Sequence, residues 1–134
     1  MVGLMVNGRD LLMADERPQA IPPRKGKRHL MRLLETLARV DSTDRSPFAP
    51  LLQEQRYQLG WGTTLIVVTG RAEDRLIHEL YQARRGGQNA LLILAGPDAS
   101  DEASLRLAHA FGIPVSVISS ERDLSLWMQK SSRI

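Results

Sequence analysis

The 134-residue chain has the length of one ordinary domain, and its 43% hydrophobic and 25% charged residues are the balance of a globular protein. The absence of cysteine excludes disulfides, thiolate metal ligands and cysteine nucleophiles, and it favours a cytoplasmic location. Its apolar start breaks at Asn7, so neither a signal peptide nor a membrane span is expected.

The net charge of +3 is unevenly distributed: residues 1–40 hold eight Lys/Arg and four Asp/Glu, and the remainder holds ten and eleven. The local excess is a cluster of Arg24, Lys25, Lys27, Arg28 and Arg32. Such a cluster suits phosphates or an acidic partner. Because no aromatic residue interleaves with it, a base-stacking surface is absent and nucleic-acid binding is not expected.

The N-terminal part of the chain predicts an edge hairpin. Residues 2–6 read as a strand, Asn7 and Gly8 as a turn, and residues 19–21 as a short extended piece. Pro22 and Pro23 end that piece, which an edge strand tolerates.

Two helices are predicted next. Residues 27–40 carry an apolar stripe at helical spacing, formed by Leu30, Leu33, Leu34, Leu37 and Val40. Residues 41–47 are polar and predict a loop, and residues 48–59 predict the second helix.

From Thr63 onward a short apolar run, a Gly or Pro break and a helical pattern recur three times. The runs are residues 63–69, 90–95 and 113–118. Their apolar residues do not alternate with polar ones, which predicts strands covered on both faces. We therefore predict a single α/β domain over residues 1–134, with an open, mostly parallel, Rossmann-like sheet flanked by helices.

Ligands of such sheets bind beyond the carboxyl ends of the strands, which makes the loops there the candidate sites. Their candidate residues are Gly70, Arg71, Asp74, Gly96, Asp98 and Ser119. The loops contain no dinucleotide fingerprint, P-loop or nucleophile elbow, and no histidine has zinc-motif spacing. No catalytic residue, cofactor or metal ligand is predicted.

Other polar and aromatic residues have structural interpretations. The carboxylates near the strand ends, Asp74, Asp98, Asp101 and Glu102, are interpreted as helix caps and first-turn acids. Trp61 and Trp127 are interpreted as packing anchors.

Several stretches carry a family resemblance: Val2 to Val6, Pro22 to Arg28, Leu33 to Ala38, Phe48 to Leu52, Gly62 to Thr69, Gly112 to Val115, and Asp123 with Leu124. They resemble the C-terminal part of the bacterial domain-of-unknown-function family 58, whose conserved region is a von Willebrand factor A-like domain. The resemblance implies that this chain lacks the family's first, central strand and the Asp-x-Ser-x-Ser metal loop after it. The family's metal-binding threonine would fall near Ser42 and Thr43, and its strand-end aspartate falls at Gly70, so no metal site is expected.

The missing strand leaves two alternatives for the sheet. Either residues 2–6 pair directly with residues 63–69, or an open sheet edge invites a homodimer. A further alternative is that the chain is a fragment of a longer protein.

The resemblance implies a non-catalytic, metal-independent protein-interaction domain that works with a MoxR-type AAA+ ATPase. Its interaction loops would include Ser42 and Thr43 beside the strand-end residues. The alternative is a small ligand-binding or enzymatic domain that uses Arg71, Asp74, Asp98 and Ser119.

Overall fold

The computed structural model describes residues 1–10, 12, 19–41, 47–97, 99 and 101–132. These residues form an α/β fold with five helices, a three-stranded parallel sheet and two small antiparallel sheets. Their contacts define two compact units, residues 1–51 and residues 52–134. Each unit is described separately.

In the first unit the predicted hairpin is present as its own two-stranded sheet. Strand β1 (Val2–Val6) pairs in antiparallel fashion with β3 (Gln19–Arg24), which continues through both prolines. Strands β2 (Arg9–Asp10) and β4 (Val40–Asp41) form a second small antiparallel sheet. Of the two alternatives for the missing strand, pairing of residues 2–6 with residues 63–69 is not found among the described residues, where β1 pairs with β3.

Helix α1 (Lys27–Arg39) packs against β1 through one narrow face. That face consists of His29, Leu33 and Thr36. His29 Nε2 lies 2.7 Å from the carbonyl oxygen of Val2, and since a carbonyl only accepts, this nitrogen donates. The helix is therefore held to the sheet by one leucine and one specific hydrogen bond.

The predicted apolar stripe of α1 is only partly a core face. Leu30, Leu34 and Leu37 are each about half exposed, at 49%, 50% and 51%. A two-stranded sheet is too small to cover the whole apolar side of a helix. The sequence pattern located the apolar residues correctly and overestimated how many of them are buried.

Helix α2 (Phe48–Arg56) is three residues shorter than predicted. The buried Gln88 side chain donates to the carbonyl oxygens of Arg56 and Leu59, at 3.0 and 3.1 Å. The Arg56 carbonyl also accepts from the backbone N–H of Leu59, at 3.2 Å. The Gln88 amide therefore adds a long-range bond to a turn that already closes the end of the helix.

The second unit contains the predicted parallel sheet. Strands β5 (Thr64–Thr69), β6 (Asn89–Ala95) and β7 (Val115–Ile118) are parallel, in the order β5-β6-β7. Right-handed crossovers in this order place the two connecting helices on the same face. The three strand–helix units predicted from the sequence are confirmed.

Three helices follow the three strands. Helix α3 (Asp74–Arg85) packs against β6, α4 (Glu102–Ala110) packs against β7 and against α3, and α5 (Glu121–Ser131) packs against β7. The core between sheet and helices contains Val67, Leu76, Ile77, Leu80, Ala83, Leu92, Leu94 and Ala108. Burial of these side chains is the main source of stability in this unit.

The opposite face of β5 is open. Ile66 and Val68 alternate with the buried Val67, and they are 57% and 62% exposed. On the same face of the neighbouring strand, Ile93 is only 6% exposed, so the open region is concentrated at β5. The prediction that the strands are covered on both faces is wrong for β5, because burial depends on elements that an apolar run does not reveal.

The two tryptophans also differ from the prediction. Trp61 is 87% exposed and its indole lies over the backbone of Gly87, whereas Trp127 is half-buried. Trp61 is therefore not a packing anchor. Gly87 has a φ of 88°, a conformation that favours glycine, and its missing side chain leaves the space that the indole occupies.

Candidate functional site

The predicted strand-end residues that the structure describes lie at the carboxyl ends of the parallel strands. Gly70 and Arg71 follow β5, Gly96 follows β6, and Ser119 follows β7. Asp74 is the first residue of α3. Ser42, Thr43 and Asp98 lie outside the described residues.

The start of α4 carries the most organised polar group near these strand ends. Asp101 is the N-cap, and its carboxylate accepts from the backbone N–H of Ala103 at 3.4 Å. The buried Ser104 hydroxyl lies 2.6 Å from Asp101 Oδ2 and 2.7 Å from the carbonyl oxygen of Ala72. The Ser104 hydroxyl has one proton for these two acceptors. It therefore links the α4 cap to the loop after β5.

These contacts keep Asp101 ionised. The Ser104 hydrogen bond lowers the pKa of Asp101 from its ordinary value of 3.8, with smaller contributions from backbone N–H groups and from the Arg71 charge. A carboxylate with a lowered pKa is a poor general acid. The interpretation of Asp101 as a helix cap is confirmed.

The loops after β5 and β7 are closed by similar local bonds. Asp123 accepts from the backbone N–H of Ser119 and from the hydroxyl of Ser120, both at 3.0 Å. The Thr69 hydroxyl donates to the carbonyl oxygen of Arg71 at 2.9 Å. In the loop after β7, Ser119 donates its backbone N–H to Asp123, and its hydroxyl takes no part in this bond. The polar groups at these two strand ends therefore hold turns and helix starts.

The described part of the chain contains no cluster of three His, Cys, Asp or Glu side chains able to hold a metal ion. Gly70 is exposed, and a Cβ atom there would make only ordinary contact with the carbonyl oxygen of Ala95, at 3.4 Å. A shallow depression of about 490 Å³ on α5 is lined by Ser125, Met128, Gln129 and Ser132, none of which titrates. None of these places combines a nucleophile, a base and a cleft.

Sequence reasoning missed a buried polar cluster. Arg56 Nε donates to Glu79 Oε2 at 3.0 Å, and both side chains are largely buried. The Oε1 atom of the adjacent Gln88 is buried without a hydrogen-bond partner. Glu79 and Gln88 follow Arg56 by 23 and 32 positions in the sequence, so no local sequence signal could have predicted the cluster. It joins α2, α3 and the approach to β6.

The feature that best fits a functional surface is the outer edge of β5. This strand forms the end of the sheet and presents six residues without a charge, a proline or a break in register. Two other edge strands are protected: β3 contains two prolines, and β7 has four residues and is preceded by Pro114. Natural proteins blunt free strand edges in these ways, and β5 lacks all of them.

Comparison of the chain with protein families, curated proteins and solved structures finds no match. Among the helices of the described residues, none has both the length and the apolar character required to cross a bilayer. The resemblance to domain family 58 and the implied ATPase partner stay predictions.

Proposed function

We propose that this chain is a non-catalytic protein-interaction domain whose binding surface is the open edge and exposed face of β5. The observation that carries the proposal is the exposure of Ile66 and Val68 on an unprotected edge strand. A free strand edge offers unpaired N–H and C=O groups to another strand, and the two β-branched side chains add apolar area beside them.

The partner that fits this edge best is the β5 strand of a second copy. Antiparallel pairing about a two-fold axis centred on Val67 sets Ile66 of one copy opposite Val68 of the other. Both cross-strand pairs then combine β-branched side chains, which favour each other in sheets. The result is a continuous six-stranded sheet in a homodimer.

The resemblance to domain family 58 supports two finer proposals. The chain has a von Willebrand factor A-like fold without its first strand, and a MoxR-type AAA+ ATPase is a further partner of the β5 edge. The proposed surface consists of backbone groups and aliphatic side chains, so binding requires no metal ion or cofactor.

Analytical ultracentrifugation of the whole chain tests the homodimer. We expect a reversible dimer that EDTA leaves unchanged. In Ile66→Lys/Val68→Lys, four ammonium groups enter the interface and raise the dimer dissociation constant more than about tenfold. Both positions are already exposed, so the variant should keep the wild-type circular dichroism and melting temperature.

The matched control is Leu124→Lys/Leu126→Lys on α5, where the two leucines are 44% and 50% exposed. It adds the same charge and should dimerise as the wild type does. A wild-type monomer at every concentration, or equal loss of association in both variants, would contradict the homodimer. The same pair of variants, tested against a purified MoxR-type ATPase, tests the second partner.

A further inference from the structure

The exposed side of α1 is a second surface, and it lies in the first unit. Leu30, Met31, Leu34 and Leu37 are each about half exposed, at 49%, 49%, 50% and 51%. At 3.6 residues per turn they span about 120° of the helix circumference, adjoining the buried face. We call these four side chains the α1 ridge.

Basic side chains precede α1 and continue along its polar side. Residues 24–39 hold six Lys/Arg and one acid, Glu35, which leaves twelve Lys/Arg and fourteen Asp/Glu in the rest of the chain. The exposed members of this group are Arg24, Lys25, Lys27, Arg28 and Arg32. None of the five forms a salt bridge with a described residue. The molecule's excess positive charge is therefore concentrated on and just before the helix that carries the α1 ridge.

The start of α1 adds to this positive potential. Gly26 provides no side-chain cap, and the first turn contains no acid. Lys27 and Arg28 stand there instead, where the helix dipole disfavours cations. Nothing within the described unit offsets this arrangement, whereas an anionic surface would.

We propose that α1 docks on the surface of an anionic lipid bilayer, with the α1 ridge inserted among the acyl chains and the cations on the lipid phosphates. A helix with a leucine-rich side and a Lys/Arg-rich side is suited to lie in the plane of a membrane interface. Long basic side chains reach the headgroups while their methylene stems cover apolar surface.

The composition favours lipid over the other anionic partners. Protein interfaces are enriched in aromatic residues and depleted in lysine at their centres, but residues 24–39 contain two lysines and no Phe, Tyr or Trp. Nucleic acid would use the cations and leave four apolar side chains in water, and the one ring of this segment, that of His29, is buried and offers bases no surface for stacking. Of these anionic partners, a bilayer is the one that contacts both the cations and the α1 ridge.

Co-sedimentation of the whole chain with vesicles tests the proposal. We expect binding to phosphatidylcholine vesicles that contain phosphatidylserine and much weaker binding to pure phosphatidylcholine. Raising the salt from about 0.1 M to about 0.5 M should release most of the protein, because it shortens the Debye length. Failure to bind the anionic vesicles, or equal binding to both kinds, would overturn the proposal.

Two double variants separate the contributions of charge and ridge. Arg28→Glu/Arg32→Glu should weaken vesicle binding more than about tenfold, since each cation near the surface contributes roughly fivefold. Leu30→Ser/Leu34→Ser should weaken it about tenfold through lost apolar burial. All four side chains are exposed, so the fold should persist, which circular dichroism checks.

The matched controls are Arg75→Glu/Arg106→Glu and Leu124→Ser/Leu126→Ser, which alter exposed residues of α3, α4 and α5. They should bind vesicles as the wild type does, and losses equal to those of the α1 variants would overturn the proposal. Binding to an RNA oligonucleotide that needs Arg28 and Arg32 but not the leucines, without vesicle binding, would assign the surface to nucleic acid instead.

The lack of cysteine allows a direct test of insertion. A fluorophore sensitive to polarity, attached to Leu37→Cys, should shift to the blue with anionic vesicles. The same label on Ser125→Cys of α5 should not shift. A label at position 37 that senses no change while the protein sediments with vesicles would rule out insertion of the α1 ridge.

Discussion

Single residues at the ends of helices control the shape of the strand-end loops. Asp101 illustrates this, because its carboxylate is bound both to its own helix and to the buried Ser104. Its lowered pKa means that folding stabilises the ionised carboxylate relative to the protonated one. Stability from Asp101 is therefore fully present above the unfolded pKa and is lost as pH falls through the folded one.

Asp101→Asn keeps an N-cap oxygen and removes the charge. We expect the variant to unfold more easily than the wild type at neutral pH, and the difference to shrink as the pH falls below the ordinary value of 3.8. Urea unfolding at several pH values measures it. Asp74→Asn, at the start of a helix that has no side-chain cap, is the control. A difference that stays constant down to low pH would contradict the linkage.

Gly87 gives a second test. Alanine there would take a φ of 88°, and its Cβ would meet the Trp61 indole. We expect Gly87→Ala to cost about 1–2 kcal/mol in urea unfolding, mostly from backbone strain, since the exposed indole can turn away. Gly86→Ala is the matched control because Gly86 has a φ of −78°, and it should be nearly neutral. Equal effects at the two glycines would rule out a cost specific to positive φ.

Among the secondary-structure elements, helices α2 and α3 are joined by the buried Arg56–Glu79 pair. Glu79→Ala leaves a guanidinium largely out of water without its partner, so we expect a loss of about 3 kcal/mol in the free energy of unfolding. The double variant Arg56→Met/Glu79→Leu removes both charges and should return to within about 1 kcal/mol of the wild type. A double variant as unstable as the single one would show that the pair itself, rather than the unpaired charge, determines the stability.

For the whole molecule, the two proposed surfaces belong to different units and use different physics. The β5 edge offers backbone hydrogen bonds and two β-branched side chains, and α1 offers charge beside leucine. Dimerisation through β5 should therefore tolerate salt, whereas membrane binding through α1 should not. The variants that abolish one activity serve as controls for the other.

Local patterns in the sequence were sufficient for the βαβ arrangement after Thr63. Each apolar run, glycine break and helical spacing lies within about twenty residues, so the chain order alone places three parallel strands and their helices. The cap at Asp101 is equally local, since its backbone partner lies two residues away. The strand-end loops of the described residues could accordingly be named in advance.

The sequence could not show which surfaces are covered, because burial depends on residues far apart in the chain. The pairing of β1 with β3, the hydrogen bond of His29 to the Val2 carbonyl, and the Arg56–Glu79 pair all join distant positions. Apolar patterns predicted buried faces on both α1 and β5, and folding left part of each exposed. Sequence thus determines which side chains are apolar and how they are spaced, whereas only three-dimensional packing decides which of them remain available to a partner.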